Sequence, residues 1–430
     1  MMEKPPAVKP FDDALSILFD PGCRRIIEDV NRRYLYWDRV KYKVPDGVDR
    51  YDFWSAVKLS RQGCPLEFAG RTFTLSVTDE MQRLLHEADV HLLSTDQIPQ
   101  KRRSSFLLSS IAEEAIASSR MEGASTTREQ AKKMIRTQAK PRDTSEKMIV
   151  NNYLTIEYLR ESRNVALSKD LILEVHRMIT DGTLGSRKYE GCLRESNEVV
   201  VADSLSGEIV HYPPDCACLE EGLSAICDFA NDNGSTRFIH PVVKAVIIHF
   251  MLSYLHPFVD GNGRTARALF YWYMLKEGYW LTEFLAISRI IYKTKNRYEK
   301  AFIHTELDDG DLGYFVQYHL EALDKAFQDL EVYLERKRKE EDAIMEFRNV
   351  EGINDRQAMI LEMFRKDQHS VFTAKDLVSC LCVTDKTVRT DLENLAQMGF
   401  LERIPKNKRL VGYGISTSFD SRLREIRRKQ

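Results

Sequence analysis

The chain has 430 residues, a formal net charge of −2 and eight scattered cysteines. This length is too great for one ordinary hydrophobic core, so we expect two or three domains, and the near-neutral charge selects neither for nor against a nucleic-acid partner. No cysteine or histidine spacing suits zinc, no signal pattern opens the chain, and no uncharged apolar segment could cross a bilayer. We therefore expect a cytoplasmic protein without a membrane partner.

The first hundred residues mix helical and extended patterns and are predicted to form a separate N-terminal region, residues 1–100. Its best strand candidates are residues 35–45 (LYWDRVKYKVP) and 66–77 (LEFAGRTFTLSV), because both are rich in aromatic and β-branched residues. The tryptophans and tyrosines of this region are interpreted as core or interface residues.

A helix rich in serine and alanine is predicted from Arg103 to Glu122, because Gly123 is a common residue after a last helical turn. Thr126 and Glu129 have the spacing of a capping box, which predicts the start of the next helix. A carboxylate such as that of Glu122 faces the negative end of its helix dipole, which costs a few tenths of a kcal/mol to about 1 kcal/mol unless a cation compensates. It is either a solvated surface residue or the partner of an arginine in the central segment described below.

Two helices are predicted within residues 144–181, and His176 in the second is interpreted as a core or boundary histidine. The pattern then alternates and predicts a hairpin of residues 197–202 and 208–212, with a turn at Ser206-Gly207. A lone hairpin leaves strand edges unpaired, so another domain covers them or an extended peptide adds to them.

The most informative segment is residues 256–267 (HPFVDGNGRTAR), which follows a run that is apolar on nearly every side, residues 241–255. That run predicts a buried helix, which Pro257 ends, so His256 would lie at a helix end. The glycine-rich loop leads into a second helix, and free N–H groups at a helix start bind anions. Two arginines three residues apart add bidentate phosphate binders.

The last third of the chain changes character. Residues 285–323 are predicted as helices with an acidic turn, residues 306–311, and from Gln317 a long charged helix continues. Three short helical patterns and two short strands around a basic turn follow, which is the order of a winged helix. These patterns cover residues 356–367, 373–381, 385–400 and 401–415.

Residues 256–267 match in full the H-P-F-x-x-G-N-G-R-x-x-R signature of the Fic family, which this chain resembles over about residues 100–325. Residues 118–123 (SSRMEG) also fit the family's inhibitory pattern [S/T]-x-x-x-E-[G/N]. Further likeness lies in LSKDLILEVHRMI, GCLRESNEVVV with HYPPD, and AISRIIYKTKNRYEKAF. The resemblance implies a mainly α protein, with an all-helical Fic core that carries a β-hairpin flap.

The resemblance also implies transfer of AMP from ATP, with Mg²⁺, to a Ser, Thr or Tyr hydroxyl of a target protein, the chain itself included. Each motif residue has a physical reason for its implied role. By this resemblance His256 is the general base and Asp260 is the metal ligand. The α-phosphate is held by Gly261, Asn262 and Gly263, and the β- and γ-phosphates are bound by Arg264 and Arg267. The flap that docks the target consists of Glu198, Val199, Val200 and Val201.

Glu122 and Ser118 would be inhibitory, because Glu122 would occupy the guanidinium of Arg267. The family often has two adjacent tyrosines near the nucleotide base, whereas here Tyr298 is followed by Glu299. The resemblance therefore implies that only Tyr298 contacts the nucleotide base. Two alternative activities stay open: removal of AMP from a target, and transfer of a nucleotide other than AMP.

The predicted domains are an N-terminal region (1–100), a Fic domain (101–325), a linking helix (326–350), a winged helix-turn-helix (351–415) and a basic tail (416–430). An alternative function is a DNA-binding regulator in which the Fic core senses nucleotide. Lys386 and Arg389 on the recognition helix and Lys406, Lys408 and Arg409 on the wing would contact phosphates, against repulsion from Asp385, Asp391 and Glu393. A winged helix can also dock a protein or form a homodimer.

Overall fold

The structure is a computed structural model, and it divides into two compact units, residues 1–330 and 331–430. It describes residues 2–8, 11–61, 63–93, 98, 103–202, 207–233, 237–367, 370–381, 383–405 and 411–427. Helices dominate both units and the strands form small two- and three-stranded sheets, which confirms the predicted fold class. No helix in the described part of the chain is long and apolar enough to cross a membrane.

The N-terminal region packs helices around one hairpin. Its elements are α1 Phe11–Phe19, α2 Pro21–Arg32, α3 Trp37–Val40, α4 Arg50–Ser60, β1 Cys64–Phe68, β2 Arg71–Leu75 and α5 Asp79–Leu92. The prediction of extended structure in 66–77 is confirmed only in part, because the chain turns at Ala69 and Gly70 and forms two antiparallel strands, β1 and β2, instead of one. The strand prediction for 35–45 is wrong: Trp37 and Val40, three apart, are both buried, and that spacing suits the single helical turn of α3.

The remainder of the first unit surrounds two central helices. Its elements are α6 Arg103–Met121, α7 Arg128–Thr137, α8 Thr144–Glu161, α9 Lys169–Thr180, β3 Val201–Ala202, β4 Ile209–His211, α10 Leu219–Ala230, α11 Pro241–Leu255, α12 Asn262–Lys276, α13 Ile287–Lys293, α14 Lys295–Leu307 and α15 Gly313–Arg348, which continues into the second unit. Every residue of α11 from Val242 to Leu252 is buried, as its uniformly apolar sequence predicts. The two central helices, α11 and α12, therefore fix the loop between them against the core.

Two boundary predictions in this unit are wrong. Helix α7 is capped by Thr127, whose side chain accepts a hydrogen bond from the N–H of Gln130, rather than by Thr126, which is buried. The hairpin strands are shorter than predicted because Asn197 bonds by its side chain to Arg194, Asp215 and the N–H of Cys216 instead of joining a ladder. The predicted turn residue Ser206 lies outside the described residues.

The second unit has the order of elements that the sequence predicted for a winged helix. Its elements after α15 are α16 Asp355–Lys366, β5 Phe372–Thr373, α17 Ala374–Leu381, α18 Asp385–Gln397, β6 Leu401–Pro405, β7 Val411–Ile415 and α19 Phe419–Arg427. The strand order is β5-β7-β6, with antiparallel pairs. Part of the predicted basic tail is therefore helical, and Phe419 packs into the core of this unit.

Candidate functional site

The loop between α11 and α12 presents His256. This residue ends α11 in the left-handed conformation, with φ +47°, and its N–H donates to Leu252 O at 3.0 Å. Its Nδ1 lies 3.3 Å from Ser253 O, and since a carbonyl only accepts, Nδ1 carries the proton. The lone pair of Nε2 is thereby left for another group. Burial lowers the pKa of His256 to about 4, so the ring is neutral at physiological pH.

Three polar side chains hold this loop in shape. Asn262 accepts from the N–H of Phe258 at 3.0 Å and donates to its carbonyl at 2.8 Å. Arg194 donates from Nε to His256 O at 3.0 Å and is 3% exposed. His176 donates from Nε2 to Asp260 O at 2.8 Å and stacks on Phe258 with ring centroids 3.7 Å apart. The side chain of Asn262 thus holds the loop, and its backbone N–H is left for a ligand.

The start of α12 is the predicted anion-binding feature. Gly261 precedes the helix with φ +86°, where a Cβ would come within 2.8 Å of Thr180 and 3.1 Å of His176. The first helical hydrogen bond is donated by Thr265 to Gly261 O, so the N–H groups of Asn262, Gly263 and Arg264 precede it. These groups can therefore bind a phosphate through the backbone.

The two arginines of α12 are buried and held by different neighbours. Arg264 is 1% exposed and donates from Nη1 to Ile179 O at 3.2 Å, yet among the described residues its Nε has no hydrogen-bond partner. Arg267 is 3% exposed and donates from Nε to Ser118 Oγ at 2.9 Å and from Nη2 to Ser118 O at 3.0 Å. A buried guanidinium with a spare donor is suited to an anionic ligand.

Glu122 meets Arg267 in this structure. Its Oε1 lies 2.9 Å from Arg267 Nη2, and its side chain is 29% exposed. Burial alone would raise the pKa of Glu122, but the charge and hydrogen bond of Arg267 lower it, so the pair is ionised at neutral pH. A Cβ on Gly263 would lie 2.4 Å from Glu122 Oε1, so this close approach requires glycine at position 263. The pair observed here is the one that the inhibitory prediction named, and its effect on nucleotide binding stays a prediction.

A cavity of about 240 Å³ brings these groups together with the hairpin. Val201 and His211 line it from β3 and β4, while Glu198, Val199 and Val200 precede β3 outside the short ladder. Its wall includes Tyr298, whose Oη lies 3.0 Å from His249 Nε2. The other lining residues from the motif and α6 are Glu122, His256, Asn262, Gly263 and Arg267.

Asp260 is the loop's carboxylate. Its Oδ1 accepts from the N–H of Gly261 at 2.6 Å, its Oδ2 lies 3.7 Å from Arg264 Nη2, and its side chain is 59% exposed. Among the described residues, no three His, Cys, Asp or Glu side chains are arranged to hold a metal ion. A Mg²⁺ ion here would take Asp260 as its protein ligand and its other oxygens from phosphates and water, a set that fits magnesium.

Arg194 is part of this site although no sequence pattern pointed to it. His176 is fully buried, which confirms its assignment to the core, but its contacts with the loop were not predicted. No local pattern signals either role, because the bonded residues are 62 and 84 positions apart in the chain.

Replacing His176 by alanine is expected to lower the free energy of unfolding by about 2–4 kcal/mol at pH 7.5, because Asp260 O and the N–H of Gly191 lose their partner. Burial lowers the pKa of His176 from 6.5 to about 4, so the neutral form is favoured in the folded state. Its stabilisation is complete above about pH 6.5 and is lost as the pH falls toward 4. Urea denaturation should therefore show a wild-type advantage that shrinks from pH 7.5 to pH 5, whereas His86→Ala, at an exposed position, should show none.

The three acids of helix α18 that were predicted to repel DNA are buried or paired in the structure. Asp391 is 3% exposed and accepts from Arg356 Nε at 2.8 Å, so it faces the core of its unit. Glu393 pairs with Arg403 and accepts from Tyr413 Oη, and Asp385 lies 2.6 Å from Arg389 Nε. The predicted repulsion is therefore absent for Asp391, which is buried, and is offset by cations for the other two acids.

The exposed side of α18 is polar and carries both basic and acidic side chains. Lys386, Arg389 and Thr390 are exposed, and Arg389, Thr390, Glu393 and Asn394 line a groove of about 400 Å³ with Lys375 of α17. The predicted wing contacts Lys406, Lys408 and Arg409 lie outside the described residues. Arginine and asparagine are side chains that read base edges, and lysine and threonine bind phosphates.

Comparisons with known proteins point to two domains. The profile of the Fic/DOC family matches residues 166–274, and that of the DeoR-like helix-turn-helix domain matches residues 356–405. Protein adenylyltransferase Fic from Nematostella vectensis is 27% identical over 167 residues, 39% of this chain and 34% of that protein. Protein adenylyltransferase fic-1 from Caenorhabditis elegans is 34% identical over 160 residues, 36% of this chain and 28% of that protein.

The chain thus matches about a third of the length of these relatives, or less. A crystal structure of a Fic family protein from Desulfovibrio desulfuricans superposes with a TM-score of 0.50 at 20% identity, covering 80% of this chain and 97% of that one. Fic-1 from Caenorhabditis elegans also superposes with a TM-score of 0.50, at 17% identity, covering 77% of this chain and 90% of that one. Both likenesses concern the fold.

Proposed function

Because residues 166–274 form a Fic/DOC domain and residues 356–405 a DeoR-like helix-turn-helix domain, we propose that this protein transfers AMP from ATP to a hydroxyl group of a protein. The observation that carries the proposal is one cavity lined by a neutral histidine, the start of α12 and the arginine Arg267. The relatives named protein adenylyltransferase support the same reaction.

The reaction needs a base, a phosphate cradle and cations, and each has a candidate. His256 has its proton on Nδ1, so Nε2 takes the proton of the incoming hydroxyl. The first-turn N–H groups of α12 stabilise the charge that develops on the α-phosphate. Arg264 and Arg267 bind the β- and γ-phosphates. Asp260 would hold a Mg²⁺ ion, which would supply positive charge to offset that of the phosphates.

The bonds that form and break follow from these positions. The acceptor oxygen loses its proton to His256 Nε2 and forms a bond to the α-phosphorus. The bond from that phosphorus to the α–β bridging oxygen breaks, and pyrophosphate leaves with the electron pair. The products are an AMP ester of the target and pyrophosphate. Tyr298 lines the same cavity, and its ring is the candidate contact for the nucleotide base of ATP.

The hairpin is the candidate docking site for the target. Strands β3 and β4 form a two-stranded sheet in the described part of the chain, so each has an edge that can pair with an extended peptide. Strand addition reads the peptide backbone, so a protein with an exposed Ser, Thr or Tyr in an extended segment fits, the chain itself included. The residues before β3, Glu198 to Val200, lie outside the two-stranded ladder and adjoin this edge in the chain.

The resting protein is proposed to be weakly active. Both N–H groups of Arg267 Nη2 are taken, one by Ser118 O and one by the Glu122 carboxylate, so neither is left for a phosphate oxygen, and the carboxylate lies beside the start of α12. ATP would then bind with its γ-phosphate displaced and its α-phosphate out of line with the acceptor.

The proposal is tested by incubating the Glu122→Gly protein with a cell lysate and ATP labelled on the α-phosphate. Label above that of lysate alone is expected with α-labelled ATP and not with γ-labelled ATP, since the γ-phosphate leaves with pyrophosphate. Added label from γ-labelled ATP alone would mean phosphorylation, because a kinase transfers only the γ-phosphate, and the absence of added α label would contradict transfer. Parallel reactions with labelled GTP, CTP and UTP decide the base preference that Tyr298 and Glu299 leave open.

DNA binding by the second unit is a second proposed function, which the DeoR-like match and the exposed side of α18 favour. It is compatible with transfer, because the cavity and α18 belong to different units. DNA would lie along α18, with Lys386 and Arg389 on phosphates or base edges.

Arg389→Ala in the full chain is expected to weaken binding to duplex DNA and to reduce the slope of log affinity against log salt by about 1. Arg24→Ala is a matched control, since Arg24 also pairs with a carboxylate four residues along an exposed helix and is 67% exposed against 62% for Arg389. Fluorescence anisotropy across a salt series measures both. Weak binding without salt dependence in the wild type would instead indicate a protein-docking module.

A further inference from the structure

The contact between α6 and α12 is built as a ladder with a four-residue repeat on each helix. Four residues are about one helical turn, so the members lie on one side of each helix, and the order is antiparallel. The three contacts are Glu114 with Tyr271, Ser118 with Arg267, and Glu122 with Arg267 beside Gly263. Glu122 is thus the last member of a series whose first member, Glu114, lies two turns earlier.

Glu114 is the most buried acid of this ladder, at 2% exposed. Its Oε2 lies 2.7 Å from Tyr271 Oη and accepts from the N–H of Ser288 at 2.8 Å. The same Tyr271 oxygen lies 2.8 Å from Leu285 O and accepts from the N–H of Ile287 at 2.9 Å. The side chain thus joins α6 to both α12 and α13.

The hydrogen atoms of this network can be assigned by counting. Tyr271 has one hydroxyl hydrogen but two neighbouring oxygens, Leu285 O and Glu114 Oε2, to which it could donate. If Glu114 is protonated, its O–H donates to Tyr271 Oη, and Tyr271 donates to Leu285 O. Each of the two short oxygen–oxygen contacts of Tyr271 then contains one hydrogen. Burial also raises the pKa of Glu114, which agrees with the neutral form.

We propose that Glu114 is a positioning residue, a neutral carboxylic acid that seats α6 on α12 and so sets Glu122 against Arg267. The regulatory part of this inference rests on the proposed function, whereas the seating of α6 does not. The loop 256–267 is held by Asn262, His176 and Arg194, none of which contacts Glu114 in the hydrogen bonds above. Loss of the Glu114 contact therefore frees the inhibitory glutamate without dismantling the loop.

The decisive comparison is Glu114→Leu against Glu114→Gln. Leucine removes the donor and the acceptor, so α6 loosens and AMP transfer is expected to rise about tenfold, which corresponds to about 1.4 kcal/mol. Glutamine keeps the side-chain size and can place its amide oxygen where Oε2 lies, accepting from Ser288 N–H and from Tyr271 O–H, so transfer should stay closer to the wild-type rate than in Glu114→Leu. The double variant Glu114→Leu/Glu122→Gly should be no faster than Glu122→Gly, because both changes act on one contact.

Hydrogen–deuterium exchange provides a readout that does not depend on transfer. Amides of α6 should exchange faster in Glu114→Leu and not in Glu114→Gln, while those of α9 and α11 stay protected. If Glu122→Gly transfers AMP but Glu114→Leu neither accelerates transfer nor loosens α6, the positioning role is wrong and the proposed function stands. If no variant transfers AMP, exchange in α6 still decides the role of Glu114.

Tyr271→Phe tests the same contact from α12 with a smaller change, in case the buried leucine prevents folding. It removes the hydroxyl and keeps the ring, so faster transfer and faster α6 exchange are expected. Wild-type behaviour in both measurements would overturn the proposal.

Discussion

Replacing Glu122 by glycine is expected to raise the rate of AMP transfer by about 10- to 100-fold. The variant removes the carboxylate that lies 2.9 Å from Arg267 Nη2, and a charge-assisted hydrogen bond of this kind contributes about 1.5–3 kcal/mol. At about 1.4 kcal/mol for each factor of ten, its loss favours the ATP pose in which Arg267 holds the γ-phosphate. The bonds from Arg267 to Ser118 remain, so the guanidinium stays in place.

Two further variants separate charge from shape. Glu122→Gln keeps the size of the side chain and loses its charge, so an intermediate rate is expected. Glu113→Gln is the matched control on the same helix, because Glu113 pairs with Arg128 and Lys132 and not with Arg267. Transfer is measured from α-labelled ATP. An unchanged rate for Glu122→Gly, in protein that is folded and binds ATP, would remove the inhibitory assignment.

His256→Ala in the Glu122→Gly background is expected to reduce transfer by about 100- to 10,000-fold, the usual contribution of a general base. Nucleotide binding should change little, because the phosphate groups meet the start of α12 and the arginines rather than the imidazole. His86→Ala serves as control, since His86 is exposed on α5, outside the site. Equal labelling by His256→Ala would contradict the mechanism.

The pH dependence offers a second test of the same role. A general base acts only when it is unprotonated, so the rate falls as the pH falls through its pKa. Because burial lowers the pKa of His256 to about 4, transfer should be independent of pH from about 5.5 to 8. A histidine with an ordinary pKa of about 6.5 would instead lose half of its activity at that pH. Such a loss would mean that another histidine, or an exposed form of His256, supplies the base.

The sequence alone determined the features of this protein that depend on residues close to one another in the chain. The apolar run that became α11, the proline after His256 and the two glycines predicted a buried helix, a sharp end and an anion-binding loop. The unfavourable position of Glu122 at a helix end predicted that it needs a cation, and the contact with Arg267 is present. The helical periodicity and the composition of residues 66–77 likewise predicted most helices and extended structure in that segment.

Tertiary structure decided which side of each helix faces which neighbour. Asp391 on α18 was predicted to repel DNA, but it packs inward against Arg356, which lies 35 positions away. The positions of Arg194, His176 and Glu114 depend on partners 62, 84 and 157 positions away, so no local pattern contains them. Hydrophobic periodicity predicts which side of a helix or strand is buried, but it does not predict which element packs against that side. The proposed chemistry of the loop was therefore readable from twelve residues, whereas the contacts that position the loop, and that hold Glu122 against Arg267, exist only once distant helices pack.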